Sequence, residues 1–233
     1  MDEEYQEKYL KPTQIIDSDN PIVREYALKN AGESSDPVER ASKLYLAVRD
    51  GIRYDPYAPF YLPLHYRASY VLARRRSFCI PKASLLCALG RACAIPSRLG
   101  FATVRNHLAT KQLIEFLGNN IFVYHGFVEF HLEGKWVKAT PAFNSELCEK
   151  HRVPPLEFNG REDSIFHPYN SNNQKYMEYV EHYGSYADVP VSEILDSWKK
   201  AYGEDRVRSW VRMHQDSGEE SLSDFEGEEV WNG

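Results

Sequence analysis

Two residues in this chain stand where their types could carry nucleophilic chemistry: Cys79 and His125. Cys79 lies in Ser77-Phe78-Cys79-Ile80-Pro81-Lys82, a segment that reads as the start of a helix, because Pro81 is tolerated only in a first turn and Ser77 is a capping residue type. A thiol at the amino end of a helix faces backbone N–H groups without intrahelical partners and the positive end of the helix dipole. Both favour thiolate, the reactive form, so the sequence predicts a lowered Cys79 pKa. The same N–H groups can hold the oxyanion of a tetrahedral intermediate. Alone, a cysteine reads better as a small buried apolar residue. Cys87 and Cys93, within and at the end of the apolar run KASLLCALGRAC, fit that description.

His125 lies on a predicted strand over 121–132. Alternation puts Phe122, Tyr124, Val128, Phe130 and Leu132 on a core face, and Val123, His125, Phe127 and Glu129 on the other. Glu133-Gly134 predicts a two-residue hairpin turn into a strand over 135–140. That turn pairs Leu132 with Lys135, and continuing the register pairs Phe127 with Thr140. Thr140 is then a diagonal neighbour of His125 on the same face, where its hydroxyl can fix the imidazole tautomer. Glu129 shares this face but lies about 13 Å along the strand. Its cross-strand partner is Lys138, so an ion pair is its expected role.

These residues need positioning elements. Asp17 to Asn20 offers caps for a helix opening at Pro21 and running to about Asn30. Pro37 opens a second helix, with Ala41, Leu44, Ala47 and Val48 on one stripe. Residues 54–63 carry three prolines and read as irregular. The helix over 82–93 is apolar on nearly every side, hence central and buried. A strand over 97–104 follows Pro96. Helices first and antiparallel strands after argue for an α+β fold.

The runs SFCIPKASLLCALGRACAIPSRLGFA, YHGFVEFHLEGKWVKATP and VERASKLYLAVRDGIRYDP together resemble the core of transglutaminase-like superfamily proteins, over about Tyr9 to Phe143. The resemblance implies a papain-like fold, with a central nucleophile helix packed on an antiparallel sheet. It also implies a Cys-His-Asp catalytic set. Cys79 and His125 match two of its members, and the aspartate position falls on Thr140. The family's glycine two residues before the cysteine is Ser77 here. Threonine brings no charge to stabilise an imidazolium, so Asn144 and Asp163 stand as alternatives behind Thr140. The implied function is acyl transfer through a Cys79 thioester, hydrolysing or transamidating a peptide, protein or small amide substrate. A catalytically impaired binding module is the rival reading, because of Thr140.

The remaining signals bound the picture. The 233 residues suit one domain, read as 1–215 with its core at about 36–145, and an acidic tail over 216–233 expected to be disordered. The net charge of −6 gives nucleic acid no electrostatic support. No apolar run is long enough to span a bilayer, and the first residues carry no basic-then-apolar leader pattern. A cytoplasmic protein with four reduced cysteines is therefore expected. No C-x-x-C pair, phosphate loop or calcium loop is visible, so no metal or cofactor is expected. Arg74, Arg75 and Arg76 read as a solvated face. Tyr54, Tyr57, Tyr61, Tyr66 and Tyr70 read equally well as a groove wall or as packing.

Overall fold

The computed structural model describes residues 7–218 and 220–228. Two proline-led helices come first. In α1 (Pro21–Ala31), the Asn20 Oδ1 accepts from the Ile22 N–H at 3.2 Å. In α2 (Pro37–Gly51), Asp36 Oδ1 accepts from the Val38 N–H at 2.9 Å, and Ala41, Leu44, Tyr45 and Val48 form the buried stripe. Proline at the first position loses no hydrogen bond, and the preceding side chain covers a free N–H. The chain then forms β1 (Arg53–Tyr54), an irregular segment, α3 (Ala68–Arg74) and β2 (Arg76–Ser77). β1 and β2 pair in parallel, Tyr54 opposite Ser77.

Next comes α4 (Cys79–Ala92), whose residues are buried from Cys79 through Arg91. It packs on α1, α2 and α3 on one side and on the sheet on the other. Ser77 belongs to β2 and does not cap α4; Phe78 holds the cap position, without a side-chain bond. A charged side chain near the start of α4 lies inside this core. Lys82 is fully buried, its ammonium donating to the Arg49 carbonyl at 2.9 Å and to the Ile52 carbonyl at the end of α2. Desolvation pulls its pKa down to about 7.

The sheet is antiparallel in the order β5–β4–β3–β6, with β3 (Ser97–Asn106), β4 (Ile121–Leu132), β5 (Lys135–Ala139) and β6 (Met177–Tyr186). The hairpin register is the expected one, Leu132 opposite Lys135 and Glu129 opposite Lys138. Glu133 and Gly134 both take positive φ, 47° and 83°, as the primed turns joining tightly paired strands require. Glu129 does not pair with Lys138, however. Its carboxylate accepts from Arg98 Nε at 2.6 Å and Ser185 Oγ at 2.7 Å, partners supplied by β3 and β6.

Alternation along β4 breaks once. Ala102 pairs with His125 and Val104 with Phe122, so Val123 and Tyr124 together oppose Thr103. Tyr124 takes φ of 60° to make this bulge. The extra residue moves Phe122 to the face of His125, correcting the expected face assignment.

The chain continues beyond the hairpin with α6 (Ser145–Lys150), β6, α7 (Val191–Tyr202) and α8 (Glu204–Asp216); α5 (Lys111–Leu117) lies between β3 and β4. Part of the stretch expected to be an acidic, disordered tail, residues 220–228, is described. Phe225 is buried between Tyr54 and Tyr57. Glu228 is buried too, accepting from the Tyr57 hydroxyl at 2.6 Å and from the Thr110 hydroxyl. The acidic composition concealed one aromatic anchor and one carboxylate with two waiting hydroxyls. The rest of that expectation, 219 and 229–233, lies outside the described residues.

The far end of α4 meets the sheet at Gly90, where a methyl group would come 2.3 Å from Ser97 Oγ and 2.6 Å from the Phe130 ring. Gly90→Ala therefore forces helix and sheet apart, and we expect a loss of about 1–3 kcal/mol in urea unfolding.

Candidate active site

Cys79 is the first residue of α4. Its neighbour Ile80 lies against β4: a Cβ on Gly126 would be 3.0 Å from the Ile80 Cα. A side chain here would have to push helix and strand apart by a few tenths of an ångström. Cys79 and His125 each stand one residue from that contact. Both line one cavity, and both are buried, at 8% and 4% exposure. No hydrogen bond joins them among the described residues.

The sulfur is surrounded by backbone donors. The N–H groups of Gly126, Ile80 and Cys79 itself all favour its thiolate. Burial opposes them and wins, pushing the thiol up to about 11. This overturns the expected lowering, because the helix-start argument took no account of desolvation. Burial also drives the His125 imidazole down to about 3. The resting site therefore holds a neutral thiol and a neutral imidazole.

His125 Nε2 is buried without a hydrogen-bond partner among the described residues, and so is Thr140 Oγ1. The hydrogen bond expected between them is not formed. The His125 ring packs on Phe166 at 4.8 Å between centroids, and Phe166 in turn neighbours Tyr179. The Tyr179 hydroxyl, pushed up to about 12 by burial, is drawn back by the Phe166 N–H and, less, by the nearby Thr140 hydroxyl, which stops short of hydrogen-bond geometry. The two alternatives to Thr140 are engaged elsewhere. Asn144 Oδ1 accepts from the Tyr54 N–H at 3.2 Å, and Asp163 Oδ1 from the Lys138 N–H at 2.9 Å.

The other residues singled out in the sequence are structural. Arg75 lies over the Tyr26 ring at 4.8 Å, Arg74 over Tyr70, and Arg76 donates to Asp55 at 3.0 Å. Of the tyrosine cluster, Tyr54 alone lines the cavity. Cys87 and Cys93 are core residues, and all four cysteines are free. Sequence reasoning missed Gly126, although a glycine after a strand histidine is a signal of close backbone approach. It also missed Trp198 and Trp210, which close the cavity from α7 and α8.

Residues 24–141 match the core of the Transglutaminase-like superfamily. The chain belongs to this superfamily. The match ends just after β5, so α6, β6, α7 and α8 are additions to the matched core. No curated relative matches the chain. Among solved structures, a candidate cysteine protease from Cytophaga hutchinsonii is similar, at 15% identity and a TM-score of 0.47, over 80% of this chain and 55% of that one. The periplasmic domain of TgpA from Pseudomonas aeruginosa is similar at 19% identity and a TM-score of 0.43, over 60% of this chain and 48% of that one. The chain thus spans about half the length of these two structures. No helix among the described residues is long and apolar enough to cross a membrane. No cluster of potential metal ligands occurs among them.

The His125 pKa makes a testable statement about acid stability. Its folded value, about 3, lies below the ordinary 6.5. Between those values the unfolded chain holds a proton that the folded chain does not, so stability falls as pH drops through this window. We expect His125→Gln to flatten that loss by about one proton's worth, ~1.4 kcal/mol per pH unit, in urea titrations between pH 4 and 6.

Proposed function

We propose that this superfamily member is a cysteine-dependent acyl-transfer enzyme acting on a peptide or carboxamide bond. The observation that carries the reading is the thiol at the start of α4, sharing a cavity with His125 and close enough to the Gly126 and Ile80 N–H groups for them to favour its thiolate. With both groups neutral at rest, a preformed thiolate is the less favoured starting state. In the proposed reaction, His125 takes the Cys79 proton as sulfur adds to the carbonyl carbon. The N–H groups around the sulfur are placed to support the oxyanion that forms beside it. Collapse expels ammonia or an amine, carrying the proton from His125, and leaves a thioester. Water then gives hydrolysis, or an amine gives transamidation. We favour hydrolysis, following the wide use of this scaffold for that reaction.

A second reading has an observation behind it. The unpartnered His125 Nε2 and Thr140 Oγ1 leave the imidazolium without a charged partner, as in a site that binds and no longer turns over. Acylation separates the two. Treated with a neutral nitrophenyl ester and analysed by intact mass, the wild type should carry one acyl group on Cys79. Cys79→Ala should carry none, and His125→Ala should acylate about 100-fold more slowly. Acylation at equal rates with and without His125 would favour the binding module.

The Thr140 position gives a further prediction. Thr140→Asp places a carboxylate at the position the family resemblance gives to the histidine's partner, favouring the protonated ring. We expect Cys79 acylation to quicken by roughly tenfold, about 1.4 kcal/mol in barrier, with the acidic limb of the pH–rate profile moved upward. An unchanged profile would place the orienting group elsewhere.

A further inference from the structure

The cavity beside Cys79 has a chemical character that the superfamily match does not supply. Its wall includes Phe60, Phe116, Leu117, Trp198 and Trp210, and no lysine, arginine, aspartate or glutamate lines it. Phe116 and Trp210 stack at 4.6 Å with their planes 15° apart. Phe60 packs on both tryptophans. The polar atoms of two large wall residues are already engaged by backbone. Trp198 Nε1 donates to the Val123 carbonyl at 2.9 Å. The Tyr202 hydroxyl accepts from the Val123 N–H at 2.9 Å and donates to the Ile121 carbonyl at 3.0 Å. These bonds attach α7 to the bulge of β4, two residues from His125, and leave ring faces to the cavity. Trp198, Tyr202, Trp210 and His214 all lie beyond the matched core at 24–141. The helices α7 and α8 therefore complete a wall whose other side, with Phe60, Phe116 and Leu117, comes from the matched core.

We propose that the cavity is the acyl-group pocket of the site, and that the acyl donor carries an uncharged, bulky apolar group, aromatic or long aliphatic. The proposal rests on the acyl-transfer reading above and specifies its substrate. A charged acyl group would enter a wall with no counter-charge and lose its hydration. An apolar one gains about fourfold in affinity for each methylene withdrawn from water.

The test uses the whole chain with 3-phenylpropionamide and its charged counterpart succinamate. Binding is read by ligand-observed NMR and by tryptophan fluorescence, and competition by the rate of Cys79 acylation. We expect the phenyl amide to bind at least tenfold more tightly and to slow acylation. Ala58→Phe, which fills the cavity from the loop after β1, should abolish both effects. Leu117→Gln, at a half-buried wall position, should weaken binding by at least fivefold, and it keeps the test available if the first variant fails to fold. Equal binding of the two amides overturns the proposal. If that occurs while acylation still depends on His125, acyl transfer stands and the pocket assignment falls. If the phenyl amide binds preferentially but no His125-dependent acylation occurs, the pocket stands and the acyl-transfer reading falls.

Discussion

The start of α4 rests on β4 at Ile80 and Gly126, and this near-contact of two backbones sets the geometry of everything around it. A helix and a strand with ordinary side chains between them lie about 10 Å apart. Here a single missing Cβ lets the first turn of the helix reach the strand. Cys79 and His125 flank the contact by one residue each, so they border a common space without either needing an extended side chain. The same approach turns the Gly126 N–H towards the sulfur.

Close approach has an electrostatic consequence. Bringing helix, sheet and the α7–α8 pair together excludes water from both reactive groups. Three N–H donors cannot offset that desolvation, and the thiol rises while the imidazole falls. The neutral pair that results is stable at rest. It makes the proton transfer proposed for acylation depend on the carbonyl addition that accompanies it. The buried ammonium of Lys82, one turn from Cys79, shows the same balance elsewhere in α4: two carbonyl partners hold it in place while burial lowers its pKa.

The appended helices change what the core offers. α7 is attached to β4 through Trp198 and Tyr202, both bonded to backbone around the bulge. β5 pairs with β4 only from Val128 onward, so this stretch of β4 has no strand on that side, and the bulge moves Phe122 to the face of His125. This stretch of one strand thus anchors the cover of the cavity and supplies part of its wall. The segment at 220–228 packs against Tyr57 through Phe225 and Glu228.

Much of this was legible in the residues themselves. The proline-led helices, the buried helix, the long strand and the hairpin register follow from caps, turn chemistry and periodicity, which act over a few residues. The pairing of a helix-start cysteine with a strand histidine was readable as motif and spacing. Tertiary structure alone decided the rest, because each remaining feature depends on groups distant in sequence. Glu129 took Arg98 and Ser185 rather than Lys138, since its own strand pair was only one of its neighbours. Asn144 and Asp163 were engaged by other backbone groups, and Thr140 does not bond to His125. The pKa of Cys79 reversed its expected direction, because a helix dipole is local to its chain segment and desolvation is the sum of everything packed around it.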